Sequence, residues 1–131
     1  VITPDNSTLI IAETRANRLT AFDILHNGEL KNRRVFAETS NMYPDGICLD
    51  EEGAIWVADP KNKEVIRIKE GGEITDKLEL ETRGAYACML GGNDGKTLFI
   101  CTNTGSGPDI ANLRAGKIET TRVKIAKAGR P

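Results

Sequence analysis

Tyr43-Pro44-Asp45-Gly46-Ile47-Cys48-Leu49-Asp50-Glu51-Glu52-Gly53-Ala54-Ile55-Trp56-Val57-Ala58-Asp59 reads as a turn, a short apolar run, an acidic tight turn and a second apolar run. Apolar runs this short, bounded by Pro, Asp and Gly, are strands rather than helices. Downstream, Val65-Ile66-Arg67-Ile68-Lys69 alternates apolar with polar residues, which predicts a strand with one face on a core and the other on solvent. Glu70-Gly71-Gly72-Glu73 then supplies a hairpin turn, with Gly for the positive φ that tight hairpins need. The unit therefore has four strands: 46 to 49, 54 to 58, 64 to 69 and 73 to 80.

The unit repeats. Pro4-Asp5-Asn6-Ser7-Thr8-Leu9-Ile10-Ile11-Ala12-Glu13 and Gly92-Asn93-Asp94-Gly95-Lys96-Thr97-Leu98-Phe99-Ile100-Cys101 each match Asp50 to Asp59, as a polar turn followed by an apolar run. Ile10, Trp56 and Phe99 are 46 and 43 positions apart, the period of a β-propeller blade. Leu19 to Ile24 alternates as Val65 to Lys69 does, and His26-Asn27-Gly28-Glu29 is its hairpin turn. In the last repeat, strands are expected at 87 to 90, at 97 to 101 and near 117 to 125, with no outer strand after them. The expected organisation is all-β: blades at 1–40, 41–84 and 85–131, the first lacking most of its inner strand and the last its outer one. Ile10, Trp56 and Phe99 are expected to pack between neighbouring blades. Three blades do not close a ring, since propellers have about four to eight.

Composition narrows the function classes. Of 131 residues, 39% are hydrophobic, and 18 basic against 19 acidic residues leave a net charge of −1. That balance gives no footprint for nucleic acid or an anionic membrane surface and leaves a small molecule as the expected partner. No apolar run is long enough to span a bilayer, and no signal segment opens the chain. Cys48, Cys88 and Cys101 have no metal-type spacing and read as reduced, buried thiols, which favours the cytoplasm.

The segment Tyr43 to Asp59 resembles the gluconolactonase, regucalcin (senescence marker protein) and luciferin-regenerating enzyme family, in which a P-D-G segment followed by D-x-x-G-x-(I/L)-W-V-A opens a blade. Thr3 to Leu9, Leu90-Gly91-Gly92 and Thr97 to Ile100 fit the same order of motifs, so the resemblance covers essentially the whole chain. It implies a six-bladed propeller, of which this sequence is the C-terminal half, the N-terminal half being absent. It also implies one divalent cation, Ca2+ or Zn2+, in the central channel and hydrolysis of a sugar lactone or similar small cyclic ester. The family's metal ligands are a Glu from the first blade, an Asn from an Asn-Gly motif and the Asp of P-D-G; only the last has a match here, Asp45. Aligning Ile2 with Leu49 puts the counterpart of Asp45 upstream of Val1, about where the family's Asn-Gly falls. The isolated chain is therefore expected to be inactive. The alternative is a non-enzymatic propeller that binds a ligand or another protein.

The resemblance makes Asp45 the metal ligand and the catalytic base; read from composition alone, Pro-Asp-Gly is simply a turn. Tyr86 aligns with Asp45 in the next repeat and is a candidate to line the substrate pocket, core filling being the other reading. Tyr43 and Met42, just before Asp45, are further pocket candidates. The Gly- and Pro-containing segment 103–115 is either a lid over the channel or an ordinary surface loop. His26, the only histidine, lies in a hairpin turn and is no general base. Asp50, Glu51, Asp59 and Asp94 read as solvated turn residues.

Overall fold

The computed structural model describes residues 1–129; the expected unit 85–131 extends to Arg130 and Pro131, which lie outside them. Ten strands form three antiparallel sheets. The first contains β1 (Thr8–Glu13), β2 (Arg18–Ile24) and β3 (Leu30–Glu38). The middle contains β4 (Ile47–Leu49), β5 (Ile55–Asp59), β6 (Glu64–Ile68) and β7 (Ile74–Glu79). The last contains β8 (Gly84–Gly91), β9 (Thr97–Asn103) and β10 (Lys117–Arg122). Helical structure among the described residues is two single 3-10 turns, Thr14–Ala16 and Pro108–Ile110, and no helix is long and apolar enough to cross a membrane.

Hairpins connect the strands where Gly allows it. At Gly28, φ is 82° and the Leu25 N–H donates to the Glu29 carbonyl, closing the β2–β3 turn. The inner strand of the first sheet is reduced to one bridge, Ile2 to Leu9, the counterpart of the Leu49 to Ile55 pair in the middle sheet.

Successive residues of a strand face opposite sides of its sheet, so the middle sheet serves two cores. Ile55, Val57, Ile66 and Ile68 pack against Ile10, Leu19, Ala21 and Phe36 of the first sheet. Trp56, Ala58, Val65 and Cys48 pack against Ala85, Cys88, Leu90, Leu98 and Ile100 of the last. All five residues of β5 and all five of β6 are consequently buried. The alternation in β6 does not produce a solvent face. Arg67 instead lies in an inter-sheet interface, where its Nε donates to Asp50 Oδ2 at 2.6 Å. Asp50 is likewise not a solvated turn residue: it is fully buried, and its Oδ1 accepts the Glu52 and Ala54 N–H groups.

Phe99 pairs with Met89 as Trp56 pairs with Cys48, so the two aromatics hold equivalent positions. Trp56 and Ile10 are buried between sheets, whereas Phe99 is 38% exposed. Phe99 faces the side of the last sheet that no other sheet of this chain covers, and the expected packing is not made there. Cys101, two residues on and therefore on the same face, is exposed; only Cys48 and Cys88 are buried thiols. Met42 is also core, part of the cluster between the first and middle sheets, and not a pocket residue.

Strand β10 ends at Arg122, three residues before the expected Ile125, because the chain there turns across the sheet ends. The Glu51 N–H donates to the Ala126 carbonyl, the Lys127 N–H to the Gly95 carbonyl and the Ala128 N–H to the Leu49 carbonyl. The tail thus straps the last sheet to the middle one, at the end of β4 opposite Asp45.

Trp56 carries the largest side chain of the second core, and its indole Nε1 has no hydrogen-bond partner among the described residues. Trp56→Ala is expected to lower the unfolding free energy by about 3–5 kcal/mol, from lost apolar burial plus the cavity. Trp56→Phe keeps most of the ring and removes the orphaned donor, and is expected to lower it by less than about 1.5 kcal/mol. Urea denaturation of both variants separates the contributions; equal losses would show that the indole nitrogen has a partner.

Candidate functional site

Asp45 stands at the head of β4, the innermost strand of the middle sheet, and all three sheets fix its backbone. From the middle sheet, the Ala58 carbonyl accepts the Asp45 N–H at 2.9 Å. From the first, Thr14 Oγ1 donates to the Pro44 carbonyl at 2.7 Å, and Asn17 Nδ2 donates to the Met42 carbonyl. From the last, the Tyr86 carbonyl accepts the Gly46 N–H at 3.0 Å. Gly46 is required by this approach, because a Cβ there would lie 2.6 Å from Ala87 Cα and 2.9 Å from Ala87 Cβ.

The segment before Asp45 hangs on a second carboxylate. Asp59, at the end of β5, is fully buried and accepts the Tyr43 N–H at 2.9 Å, the Lys61 N–H at 2.8 Å, and both the N–H and the side-chain amide of Asn62 at 2.9 Å. Asn62 Nδ2 also donates to the Asn41 carbonyl. The expectation of a solvated turn residue fails here because the buried carboxylate turns inward and is satisfied by four donors from its own turn and from the segment before Asp45. Asn62, Thr14 and Asn17 carry no role in the sequence reading, and Asp59 is read there only as a solvated turn residue. The signal for Asp59 was present in Asp59-Pro60-Lys61-Asn62, where an Asp followed by Pro favours a side-chain-capped turn. Nothing in the sequence marks the partners of Thr14 and Asn17, which lie 30 and 25 residues away.

The Asp45 carboxyl is pushed above its ordinary pKa by partial desolvation alone; although one side of the residue is open to solvent, surrounding protein screens it, and no cation or donor offsets this. No donor among the described residues bonds to this carboxylate, and its backbone is fixed. Among the described residues, no group of three or more His, Cys, Asp or Glu side chains is placed to hold a metal ion.

None of the other candidates forms a hydrogen bond with the Asp45 carboxylate among the described residues. Lys61 Nζ donates to the Tyr43 hydroxyl at 2.5 Å and sits 3.9 Å from the ring centroid, a cation–π contact. Tyr86 occupies a register shift between Ala85 and Ala87, and with Cys101, Thr102, Lys117 and Ile118 it lines a groove of about 420 Å³ in the last sheet. The loop between β9 and β10 contains the 3-10 turn Pro108–Ile110, and Arg83 pins its base by donating to Thr102 Oγ1 and to the Ala115 carbonyl. His26 is exposed in the β2–β3 turn.

The sequence profile of the SMP-30/Gluconolactonase/LRE-like region matches residues 1–104. Regucalcin from Oryctolagus cuniculus is 32% identical over 110 residues, covering 80% of this chain and 37% of its own length. A 6-deoxy-6-sulfogluconolactonase from Pseudomonas putida is 28% identical over 134 residues, covering 98% of this chain and 46% of its own. The crystal structure of a calcium-binding protein, regucalcin from Agrobacterium tumefaciens, superposes with a TM-score of 0.75 at 25% identity, covering 98% of this chain and 45% of that one. The chain thus spans less than half the length of these proteins, and its fold is part of a β-propeller. With the Pro-Asp-Gly strand, the repeated sheets and the profile match in agreement, the chain belongs to the SMP-30/gluconolactonase/LRE-like family.

Proposed function

We propose that the protein of which this chain forms half is a metal-dependent hydrolase of a sugar lactone or similar small cyclic ester, with one divalent cation, Ca2+ or Zn2+, held in part by Asp45. The observation that carries this reading is Asp45 itself: an undonated, partly desolvated carboxylate at the head of an innermost strand, immobilised by three sheets. The sulfogluconolactonase and regucalcin relatives support it. A bound divalent cation would polarise the lactone carbonyl and stabilise the negative charge that develops on its oxygen. Asp45 is the base: as the water oxygen bonds to the carbonyl carbon, the carboxylate takes the water's proton. The ring C–O bond then breaks, and the ring oxygen takes that proton back from the Asp45 carboxyl, giving the open hydroxy acid and regenerating the carboxylate. Tyr43 and Tyr86 are proposed to contact the substrate from the rim. Calcium takes about six to eight oxygen ligands, so the remaining ones come from blades beyond this chain.

Those blades also account for the two apolar faces at the ends of the half-ring. Ile11 and Val35 on the first sheet, and Phe99 and Ile118 on the last, are exposed here. They correspond to faces that the middle sheet buries on both sides, and three further blades of the same protein would cover them and close a six-bladed ring. In the complete protein, chelation followed by dialysis is expected to abolish hydrolysis of glucono-lactone, and added Ca2+ or Zn2+ to restore it; the half-ring alone is expected to show no turnover. Undiminished turnover with no metal by elemental analysis would refute metal dependence. Absence of turnover on sugar lactones with metal bound would favour a ligand-binding propeller.

A further inference from the structure

We propose that Thr14 is a positioning residue for the Asp45 carboxylate, acting across the boundary between two sheets; this rests on the reading of Asp45 as a metal ligand. The peptide unit joining Pro44 to Asp45 is held at both ends by different sheets. Its carbonyl accepts the Thr14 hydroxyl at 2.7 Å, from the loop between β1 and β2. Its N–H donates to the Ala58 carbonyl at 2.9 Å, on β5. With both ends bonded, the peptide plane cannot rotate about the Pro44 and Asp45 backbone torsions, and that plane sets where the Asp45 side chain leaves the backbone. Asn17 fixes the same segment two residues earlier, through the Met42 carbonyl; of the two side chains, Thr14 is the one that bonds to the peptide carrying Asp45.

The clamp matters for a ligand more than for the fold. Metal–oxygen distances tolerate deviations of only about 0.2 Å, so a carboxylate on a peptide free to rock is a poorer ligand even when the strand behind it is intact. Thr14 itself is exposed, so replacing it opens no cavity; Pro44 is buried, so losing the hydroxyl leaves its carbonyl short of a donor, a cost that falls on the metal-free and metal-bound forms alike. Partners that orient a ligand in this way typically change metal affinity by about tenfold or more when removed.

The test uses the complete protein in its metal-free form, titrated calorimetrically with Ca2+ and separately with Zn2+, and compares Thr14→Val, Thr14→Ser and Asp45→Asn. Thr14→Val is expected to bind the ion about tenfold more weakly, with the metal-free protein still folded and melting cooperatively at a modestly lower temperature. Thr14→Ser, which keeps the hydroxyl, is expected to bind as the unsubstituted protein does. Wild-type affinity in Thr14→Val alongside loss of binding in Asp45→Asn would overturn the clamp and leave the ligand assignment standing. Equal weakening in Thr14→Val and Thr14→Ser, or a metal-free Thr14→Val that is unfolded, would also overturn it, assigning Thr14 to the fold. Wild-type affinity in Asp45→Asn would remove the ligand assignment and the clamp with it.

Discussion

Replacing Arg67 with methionine is expected to lower the unfolding free energy by about 3–5 kcal/mol, because it strands a buried carboxylate. Arg67 and Asp50 have side chains 4% and 0% exposed, between two sheets. Guanidinium Nε donates to Asp50 at 2.6 Å, one terminal nitrogen to Glu52 at 2.8 Å and the other to Thr75 at 2.9 Å. Burial by itself would lower the Arg67 pKa, yet the hydrogen bonds and charges of Asp50 and Glu52 together outweigh it and raise it. Glu52 is half exposed, so its share of the pair adds little. Without Arg67, Asp50 keeps two backbone donors on one oxygen and none from a cation on the other, at zero exposure. Asp50→Asn in the Arg67→Met background removes the uncompensated charge while leaving an oxygen to accept the turn N–H groups, and is expected to restore part of the loss. Urea denaturation of both variants reads the coupling. An Arg67→Met protein within about 1 kcal/mol of the unsubstituted one would show that water reaches Asp50.

This pair also shows where sequence reading succeeds and where it stops. Strand positions and the blade period follow from local chemistry: short apolar runs, Gly at positive φ, and the spacing of Ile10, Trp56 and Phe99. The place of Asp45 at the head of an inner strand was legible because Pro-Asp-Gly followed by Trp-Val-Ala is a long and specific string. Arg67, Asp50 and Asp59 were misread because polar residues in alternating strands and turns are solvated unless a neighbouring sheet covers them, and that cover is supplied by residues far away in the chain. Phe99 was misread for the opposite reason. It holds the buried position of the repeat, but the sheet that would bury it is not in this chain. The tail from 123 to 129, which bonds to Leu49, Glu51 and Gly95, has no local signal, since its contacts are backbone carbonyls and N–H groups that every sequence provides.

In the complete protein, Asp45→Asn is expected to reduce lactone hydrolysis by about 10²–10⁴-fold, the usual contribution of a positioned general base, and to weaken cation binding as well. The amide is nearly the same size as the carboxylate, but it cannot take the water's proton and brings no charge to the ion. The fold has little to lose. Asp45 is bonded to its surroundings through its backbone N–H, which donates to the Ala58 carbonyl, and through its peptide neighbours Pro44 and Gly46. Its carboxyl is displaced from its ordinary pKa by desolvation, with no hydrogen bond contributing. At a pH above its ordinary pKa the desolvated carboxylate slightly opposes folding, so the metal-free form of Asp45→Asn is expected to unfold at the same or a slightly higher urea concentration than the unsubstituted protein. That separates a lost ligand and base from a damaged strand, which would lower the unfolding midpoint and the turnover together. In this half-ring alone, with no such ligand cluster among the described residues, the same substitution is expected to change neither metal binding nor turnover. Wild-type turnover by the full-length variant, with bound metal confirmed by elemental analysis, would remove Asp45 from the chemistry and place the base on a blade outside this chain.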